Sequence, residues 1–427
     1  MRKCWNMQEK KVFKAYSVEH EYNLDGLISD YTLLLKAIIE EIWGNIRWKE
    51  KKVNRRMRIF PMIPTSKEFK RNIRNSALKN WEYASHYVDS AINTAYSIFK
   101  SWRKRYRKGI AKRKKPEIKR AFVYVKTTLF SYKDGKVKIT IVPRKRYVEF
   151  DLKQYWFWDR VKNLNLGGII LKKGSITFTF WHMKEIRIEK PVGWDANLLS
   201  FDGYDGKQHY KISLKDVYTI HRAYELKRKR IQERTQKTKP KTYKRLMAKY
   251  KRREWKRVNA LLHKISKSIS NRSHIFEDLT YMKMKRKSKS RKKNRQLFKG
   301  DFIKLQKMIE YKANWNGYCV IYVNPRNTTK TCSRCGFVMK TRIGAVFKCP
   351  KCGLSMDRQK NASVNIFRKG LGMWGPGVAP NGDKTYDTLP MNPEGAEVDA
   401  SQSVGMSRPP TLNPRRSPAE FVAEAHL

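Results

Sequence analysis

Acidic residues are scarce in this sequence, in which 37 Asp and Glu residues stand against 96 Lys and Arg residues. The formal net charge of +59 over 427 residues repels itself unless a polyanion neutralises it. The chain also has 22 Tyr, 18 Phe and 12 Trp residues, whose rings offer stacking planes for bases beside phosphate contacts. This balance favours nucleic acid over a membrane surface as the partner.

Long apolar runs are absent too, since no segment approaches the roughly 20 apolar residues of a membrane span. The opening residues, MRKCWNMQEKK, contain no apolar core of the kind that a signal peptide needs. Cysteine is rare, and apart from the four discussed next only Cys4 and Cys319 occur, which fits a reducing compartment. We therefore expect a cytoplasmic protein that has no membrane segment.

Four cysteines form two Cys-x2-Cys pairs that are separated by 13 residues. Gly336 and Gly353 follow the two pairs, where a tight knuckle turn needs a positive φ. A two-residue gap lets two thiolates reach one ion, and a hairpin in the spacer can bring in the second pair. The spacing predicts a closed, structural zinc site, with two disulfides as the alternative. The predicted zinc ligands are Cys332, Cys335, Cys349 and Cys352.

The first half of the chain has the pattern of helices set among strands. Apolar residues recur at helical spacing from about residue 24 to 106. Alternation with a period of two predicts strands at residues 11–18 and between residues 121 and 189. Within the second group, Asp134 and Gly135 predict the turn of a β-hairpin.

Several stretches concentrate the positive charge. Residues 102–115, WRKRYRKGIAKRKK, interleave aromatic rings with cations, which fits either a phosphate-binding surface or a solvated helix end. Residues 216–236 and 242–270 predict two basic helices. Residues 281–299 form a low-complexity Lys/Arg/Ser segment, expected to be a mobile loop that either lines a nucleic-acid channel or serves as a tether.

Three acidic residues of the second half stand out by their surroundings. Asp195 lies inside an apolar strand, where a charge is costly unless it is paired or binds a metal. Glu277 follows an apolar strand in the segment HIFEDL, and Asp357 follows the second cysteine pair. Carboxylates suit Mg²⁺, and two ions about 3.5 to 4 Å apart can promote in-line phosphodiester hydrolysis. Spacing alone does not separate such a site from helix caps and ion pairs.

Three segments resemble the C-terminal signature of the TnpB family, transposon-encoded relatives of compact type V CRISPR effectors. The segments are NPRNTTKTCSRC at 324–335, CPKCG at 349–353 and DRQKNASVNI at 357–366. The G-x-D strand at 193–195 and the E-D-L segment at 277–279 are similar to the family's first two catalytic segments. The resemblance covers residues 190–368 well and residues 1–189 loosely.

The resemblance implies a multidomain α+β fold. Residues 1–189 are expected to form a β-barrel with a helical insertion at about 24–106. Residues 190–370 are expected to form a RuvC-like, RNase H-type α/β nuclease domain with an inserted zinc ribbon at about 328–356. Residues 371–427 are rich in Pro and Gly without periodicity, which predicts a disordered tail.

The resemblance also implies an RNA-guided DNA endonuclease of a transposable element, whose guide RNA pairs with double-stranded target DNA. Asp195, Glu277 and Asp357 would be the catalytic residues that hold Mg²⁺. The family segment often reads D-R-D-x-N-A-A, with the catalytic Asp generally two residues before Asn, whereas this chain has Gln359 there. Asp357 is then either the third ligand or the N-cap of the last helix.

Two other functions fit parts of the sequence. A nuclease-dead relative that binds guide RNA and DNA without cutting is favoured by Gln359. A zinc-ribbon transposition factor that binds DNA without guide RNA leaves the surroundings of Asp195 and Glu277 unexplained. The endonuclease is the preferred interpretation.

Overall fold

The computed structural model describes residues 8–53, 56–107, 109, 111–279, 301–340 and 344–374. The Lys/Arg/Ser segment at 281–299 and nearly all of the predicted tail lie outside the described residues. The last described helix continues to Trp374, so the tail prediction was wrong for its first four residues, 371–374. No helix in the described part of the chain combines the length and apolarity that crossing a membrane requires.

Strands and helices alternate in residues 8–186, as the periodicity predicts. The strands are β1 (Gln8–Glu19), β2 (Arg47–Val53), β3 (Arg56–Met62), β4 (Val123–Val125), β5 (Phe130–Lys133), β6 (Lys136–Val142), β7 (Arg146–Asp151), β8 (Asn165–Lys172) and β9 (Ser175–Ile186). The helices are α1 (Asp25–Gly44), α2 (Lys67–Leu78), α3 (His86–Arg107) and the single turn α4 (Trp158–Val161). The β2–β3 hairpin between α1 and α2 was not predicted, because its strands are rich in charge and lack a clear alternation.

Two antiparallel sheets and α1 and α3 share one hydrophobic core. The first sheet has the strand order β1-β9-β8-β4, and the second has the order β5-β6-β7. Asp134 and Gly135 join β5 to β6 with φ values of 51° and 82°, which confirms the predicted hairpin turn. Tyr31 in α1 and Phe99 in α3 are fully buried in this core. Closure of the two sheets into a barrel stays a prediction.

A five-stranded sheet dominates residues 192–323. Its strands are β10 (Val192–Ala196), β11 (Ser200–Tyr204), β12 (His209–Ser213), β13 (His274–Glu277) and β14 (Val320–Val323). The order is β12-β11-β10-β13-β14, antiparallel from β12 to β10 and parallel from β10 to β14. The remaining elements are α5 (Lys215–Thr235), α6 (Pro240–Ser268), α7 (Phe302–Trp315), α8 (Arg358–Trp374) and the hairpin β15 (Val346–Lys348) with β16 (Ser355–Asp357).

Helices cover both faces of this sheet. Val192 and Trp194 of β10 pack in one apolar cluster with Leu262 of α6 and Leu305 of α7. Residues on the other face of the sheet, such as Ile275 of β13, pack with Phe367 of α8 in a second cluster. Since side chains alternate along a strand, Asp195 and Glu277 project to the face that α8 covers.

A partly buried charge network joins α5, α6 and the start of α7. His221 Nδ1 lies 2.8 Å from Glu254 Oε1, and His221 Nε2 lies 3.1 Å from Asp301 Oδ2. Arg228 also binds the Glu254 carboxylate. Although burial lowers the pKa of His221, hydrogen bonds to Asp301 and Glu254 outweigh it and raise the pKa to about 9.

Replacement of His221 by Gln is expected to destabilise the protein in a pH-dependent manner. A folded-state pKa above the unfolded value of about 6.5 gives a contribution that is complete below pH 6.5 and is lost as the pH rises through 9. We expect the melting temperature of the His221→Gln variant to lie roughly 2–4 °C below that of the parent at pH 6. The gap should close by pH 10, and an equal gap at both pH values would contradict the charged network.

Candidate metal centres

The four predicted cysteines converge on one point. Their sulfur atoms all lie within 4.8 Å of one another, with 3.6 Å from Cys332 to Cys352 and from Cys335 to Cys349. A tetrahedron with Zn–S bonds of about 2.3 Å separates its sulfurs by about 3.8 Å. None of the four forms a disulfide, so the disulfide alternative is wrong. The cluster fits a zinc site.

Each cysteine pair is held by a knuckle turn that the glycine permits. The amide of Gly336 donates to Cys332 O at 3.0 Å, and the amide of Gly353 donates to Cys349 O at 3.0 Å. The φ values of these glycines are 74° and 70°, as the sequence predicted, and side chains are disfavoured there. The β15–β16 hairpin joins the second pair to the start of α8.

Asp195 and Glu277 lie at the carboxyl ends of neighbouring parallel strands. Trp194 pairs with Phe276, so the two carboxylates come next on the same face of the sheet. Gly193 permits this arrangement, because a Cβ atom there would lie 2.5 Å from Phe367 N of α8. Both carboxylates are buried, with 5% and 7% of the residue exposed. The structure therefore brings together two of the three predicted carboxylates.

Asp202 is a further buried carboxylate that the sequence analysis missed. It lies directly opposite Asp195 in the antiparallel ladder of β10 and β11. The Asn197 amide donates to Asp195 Oδ2 at 2.9 Å and to Asp202 Oδ2 at 3.2 Å. Ser200 Oγ donates to Asp202 Oδ2 at 2.6 Å. The signal that singled out Asp195, an acid between apolar strand residues, applies equally to Asp202.

Gly203, next to Asp202, lies within β11. A Cβ atom there would lie 2.7 Å from Trp194 Cζ3, so glycine is needed for packing rather than for a turn. Gly206, with a φ of 103°, takes the turn between β11 and β12.

Asp195, Asp202 and Glu277 form no ion pair within the described part of the chain. The charges of Arg358, Lys211 and Lys369 offset the burial of these carboxylates only in part. Burial, and then the nearby Glu277 charge, raise the pKa of Asp195 to about 7. Burial likewise raises the pKa of Asp202 and of Glu277. Because uncompensated buried charge is costly, these oxygen donors fit a divalent cation such as Mg²⁺.

The carboxylate group is wider than the cysteine cluster. Among the described residues only the cysteines place three or more ligand atoms within 4.8 Å of one another. Thr328 holds one end of the carboxylate group by donating its hydroxyl hydrogen to Glu277 Oε1.

Asp357 caps α8. Its Oδ1 accepts the backbone amides of Gln359 at 2.7 Å and Lys360 at 3.1 Å, and the residue is exposed. This is the capping geometry that the sequence left open beside metal binding. Gln359 Oε1 lies 3.4 Å from Ser200 Oγ, at the edge of the carboxylate group.

Two asparagines of α8 fasten the helix to the segment that begins the cysteine cluster. Asn361 Oδ1 accepts the Ser333 amide at 2.9 Å, and its Nδ2 donates to Thr331 O at 2.8 Å. Asn365 Nδ2 donates to Thr331 O at 2.7 Å and to Thr328 O at 2.9 Å. Because Thr328 also binds Glu277, the ribbon, α8 and the carboxylate group are mechanically connected.

The cation-rich stretch at 102–115 does not present its first aromatic rings. Trp102 is 2% exposed and stacks on Tyr106, with ring centroids 5.3 Å apart. Lys104 and Arg105 are exposed beside these rings. These two rings are therefore used for packing, and the choice between a phosphate-binding surface and a solvated helix end stays open for the exposed cations.

Two family models match parts of the chain. The first is described as the Uncharacterized protein MJ0013 family and matches residues 27–140. The second is the Cas12f1-like TNB domain, which matches residues 302–366. The second match contains the cysteine cluster and the beginning of α8.

Similarity to one relative extends over most of both chains. TnpB-like protein MJ1635 of Methanocaldococcus jannaschii is 36% identical over 385 residues, covering 87% of this chain and 89% of that protein. This chain belongs to the TnpB-like family. TnpB-like protein MJ0751 of the same organism is 34% identical over 260 residues, covering 56% of this chain and 93% of that protein. The family predicted from the signature segments is confirmed.

The TnpB-like chain also shares its fold with a chain of a solved complex. The Cas12f1–sgRNA–target DNA complex matches with a TM-score of 0.50 at 16% identity, covering 80% of each chain. The predicted mixture of α and β structure is thereby confirmed at the level of the overall fold. The CRISPR-associated endodeoxyribonuclease Cas12f2 of Micrarchaeota archaeon is 33% identical over 130 residues, covering 27% of this chain and 24% of that protein.

Proposed function

We propose that this TnpB-like protein is an RNA-guided DNA endonuclease of a transposable element. The observation that carries the proposal is the pair of buried carboxylates, Asp195 and Glu277, which lie at adjacent parallel strand ends and form no ion pair within the described residues. A binding protein has no need for such a costly arrangement. A nuclease needs such an arrangement to hold its divalent metal ions.

The sheet supports a RuvC-like, RNase H-type nuclease domain at residues 190–370. Its antiparallel strands β12, β11 and β10 continue into the parallel strands β13 and β14, with helices on both faces. The proposed ribbon at about 328–356 follows β14 and leads directly into α8. Residues 1–189 would form the barrel with its helical insertion at about 24–106.

Asp195 and Glu277 are proposed to hold Mg²⁺, and a group wider than 4.8 Å suits a pair of ions about 3.5 to 4 Å apart. When bound, such ions activate water and stabilise the leaving oxygen of an in-line displacement. Thr328 and Asn197 orient the two carboxylates through hydrogen bonds. In the reaction a water oxygen bonds to phosphorus and loses its proton, while the bond to the leaving oxygen breaks and that oxygen is protonated.

The cluster of four cysteines is proposed to hold one structural zinc ion. A closed tetrahedral site leaves no position open for substrate. Its role is then to fix the segment that carries Thr328 and Thr331, and through it the position of α8. Thiolate ligands require a reducing compartment, for which we propose the cytoplasm.

Guide RNA and target DNA are the proposed partners, by analogy with the Cas12f1 complex. A cleft between α5 and α6 offers rings and cations together, with Tyr224 and Tyr250 at its base. Lys227, Arg253 and Arg257 are exposed at the cleft and form no ion pair within the described part of the chain. These cations lie over the tyrosine rings, and exposed cations without an ion pair suit a nucleic-acid backbone.

Binding of nucleic acid is expected to weaken steeply with salt. Each neutralised phosphate of duplex DNA contributes about −0.9 to the slope of log affinity against log salt. Replacing Arg253 and Arg257 by Gln should weaken binding and make the slope of log affinity against log salt shallower by about one to two. Fluorescence anisotropy at several salt concentrations measures both effects. Lys162→Gln is the control, because Lys162 is already paired with Asp159. A flat plot for the parent would remove nucleic acid as the reason for the charge.

The direct test is to purify the protein after native expression, to sequence the RNA that accompanies it, and to offer a matching plasmid with Mg²⁺ or with a chelator. Metal-dependent cutting at sites complementary to that RNA is expected. If no RNA accompanies the protein and no plasmid is cut, the proposal fails.

The second candidate, a nuclease-dead protein that binds guide RNA and DNA, is favoured by Gln359 alone. It predicts that RNA accompanies the protein, that target DNA is bound and that no strand is cut. Cleavage that appears only after Gln359→Asp would establish it.

A further inference from the structure

Gln359 leaves the proposed metal site one carboxylate short of the pattern that the family segment implies. Its amide oxygen lies 3.4 Å from Ser200 Oγ, so the side chain does reach the edge of the carboxylate group. A neutral amide is a weaker ligand for Mg²⁺ than a carboxylate. The missing charge must come from elsewhere if the site is to hold metal as the proposed function requires.

Asp357, the nearest acid in sequence, has another role. It is exposed, and its Oδ1 accepts two backbone amides at the start of α8. A carboxylate in this position stabilises the helix whether or not a metal is present.

We infer that Asp202, on β11, supplies the third carboxylate of the proposed metal site. It is 6% exposed and faces Asp195 directly across the ladder, where Cβ atoms lie about 4.5 to 5.5 Å apart. The single Asn197 amide binds one oxygen of each carboxylate. Ser200 Oγ, which donates to Asp202 Oδ2 at 2.6 Å, is also the atom next to Gln359.

Each of the three buried carboxylates keeps one oxygen that is available to a metal ion. Asp195 Oδ1, Glu277 Oε2 and Asp202 Oδ1 accept no hydrogen bond within the described part of the chain. Lys211 pairs with Asp202 across the β11–β12 ladder, but its side chain is exposed and forms no ion pair with it. A pair of metal ions shared among the three carboxylates would satisfy these oxygens.

The test measures binding of Mn²⁺, as a probe for Mg²⁺, to the zinc-loaded full chain by electron paramagnetic resonance. The component that Asp195→Ala removes defines the site. Asp202→Asn should lower the Mn²⁺ affinity of this site at least tenfold. The loss of even a residue that only hydrogen-bonds a metal ligand lowers metal affinity about 10–100-fold. Asp205→Asn is the matched control, because Asp205 lies in the β11–β12 turn and caps the amides of Lys207 and Gln208.

Each outcome decides the inference. Equal Mn²⁺ binding by Asp202→Asn and the parent would overturn it, as would loss of the component in Asp357→Asn but not in Asp202→Asn. A parent that lacks any Asp195-dependent component would refute the proposed metal site itself, and the inference with it.

A second variant separates ligation from folding. In the Asp202→Asn background, Gln359→Asp returns a carboxylate beside Ser200 and should restore both Mn²⁺ binding and plasmid cleavage. Zinc content and melting temperature establish that each variant is folded. A folded double variant that regains neither property would show that positions 202 and 359 do not serve the same metal.

Discussion

Asp195→Ala and Glu277→Ala are expected to abolish plasmid cleavage while leaving binding of guide RNA and target DNA intact. Metal ions contribute several kcal/mol of transition-state stabilisation, which corresponds to a rate loss of roughly a thousandfold or more. Binding should survive because phosphate contacts come mainly from cationic surfaces such as the α5–α6 cleft. The measurements are single-turnover cleavage and anisotropy binding on the same preparations.

Asp216→Ala is the control, because Asp216 is an exposed acid in the first turn of α5. It removes one negative charge from the same domain without touching the carboxylate group. Cleavage that persists in Asp195→Ala would disprove the proposed site. Loss of binding in step with cleavage would instead indicate that the carboxylates hold the sheet together.

Cys349→Ser is expected to release zinc and to lower the melting temperature. Structural zinc in zinc-finger peptides binds with an apparent free energy of about 10–16 kcal/mol at pH 7, and that energy is folding energy. We also expect cleavage to fall, because the ribbon segment carries Thr331 and Thr328, which hold α8 and Glu277. Elemental analysis, thermal denaturation and cleavage assays measure the three effects.

Residue Cys4 provides the matched control, Cys4→Ser, since it is not one of the four cysteines predicted to bind zinc. It should retain one zinc per chain. Finding one zinc per chain in Cys349→Ser as well would refute the zinc assignment. A zinc-free variant that cuts at the parental rate would separate the ribbon from the nuclease site.

The sequence by itself determined the features that depend on nearby residues. The two Cys-x2-Cys pairs with their glycines predict the cluster, because knuckle geometry is set within about five residues. The Asp134–Gly135 turn was likewise predictable from local backbone preferences. Asp195 was recognisable because a charge within an apolar strand needs compensation wherever that strand lies.

Only the tertiary structure decided which groups meet. Asp202 became a site candidate because β11 pairs with β10 in a register that sets it opposite Asp195, and a shift of one residue would turn it to the other face. Gly193 is required by the approach of Phe367, 174 positions later in the chain. Such contacts depend on strand register and helix placement, which the packing of the whole domain sets and no short segment encodes.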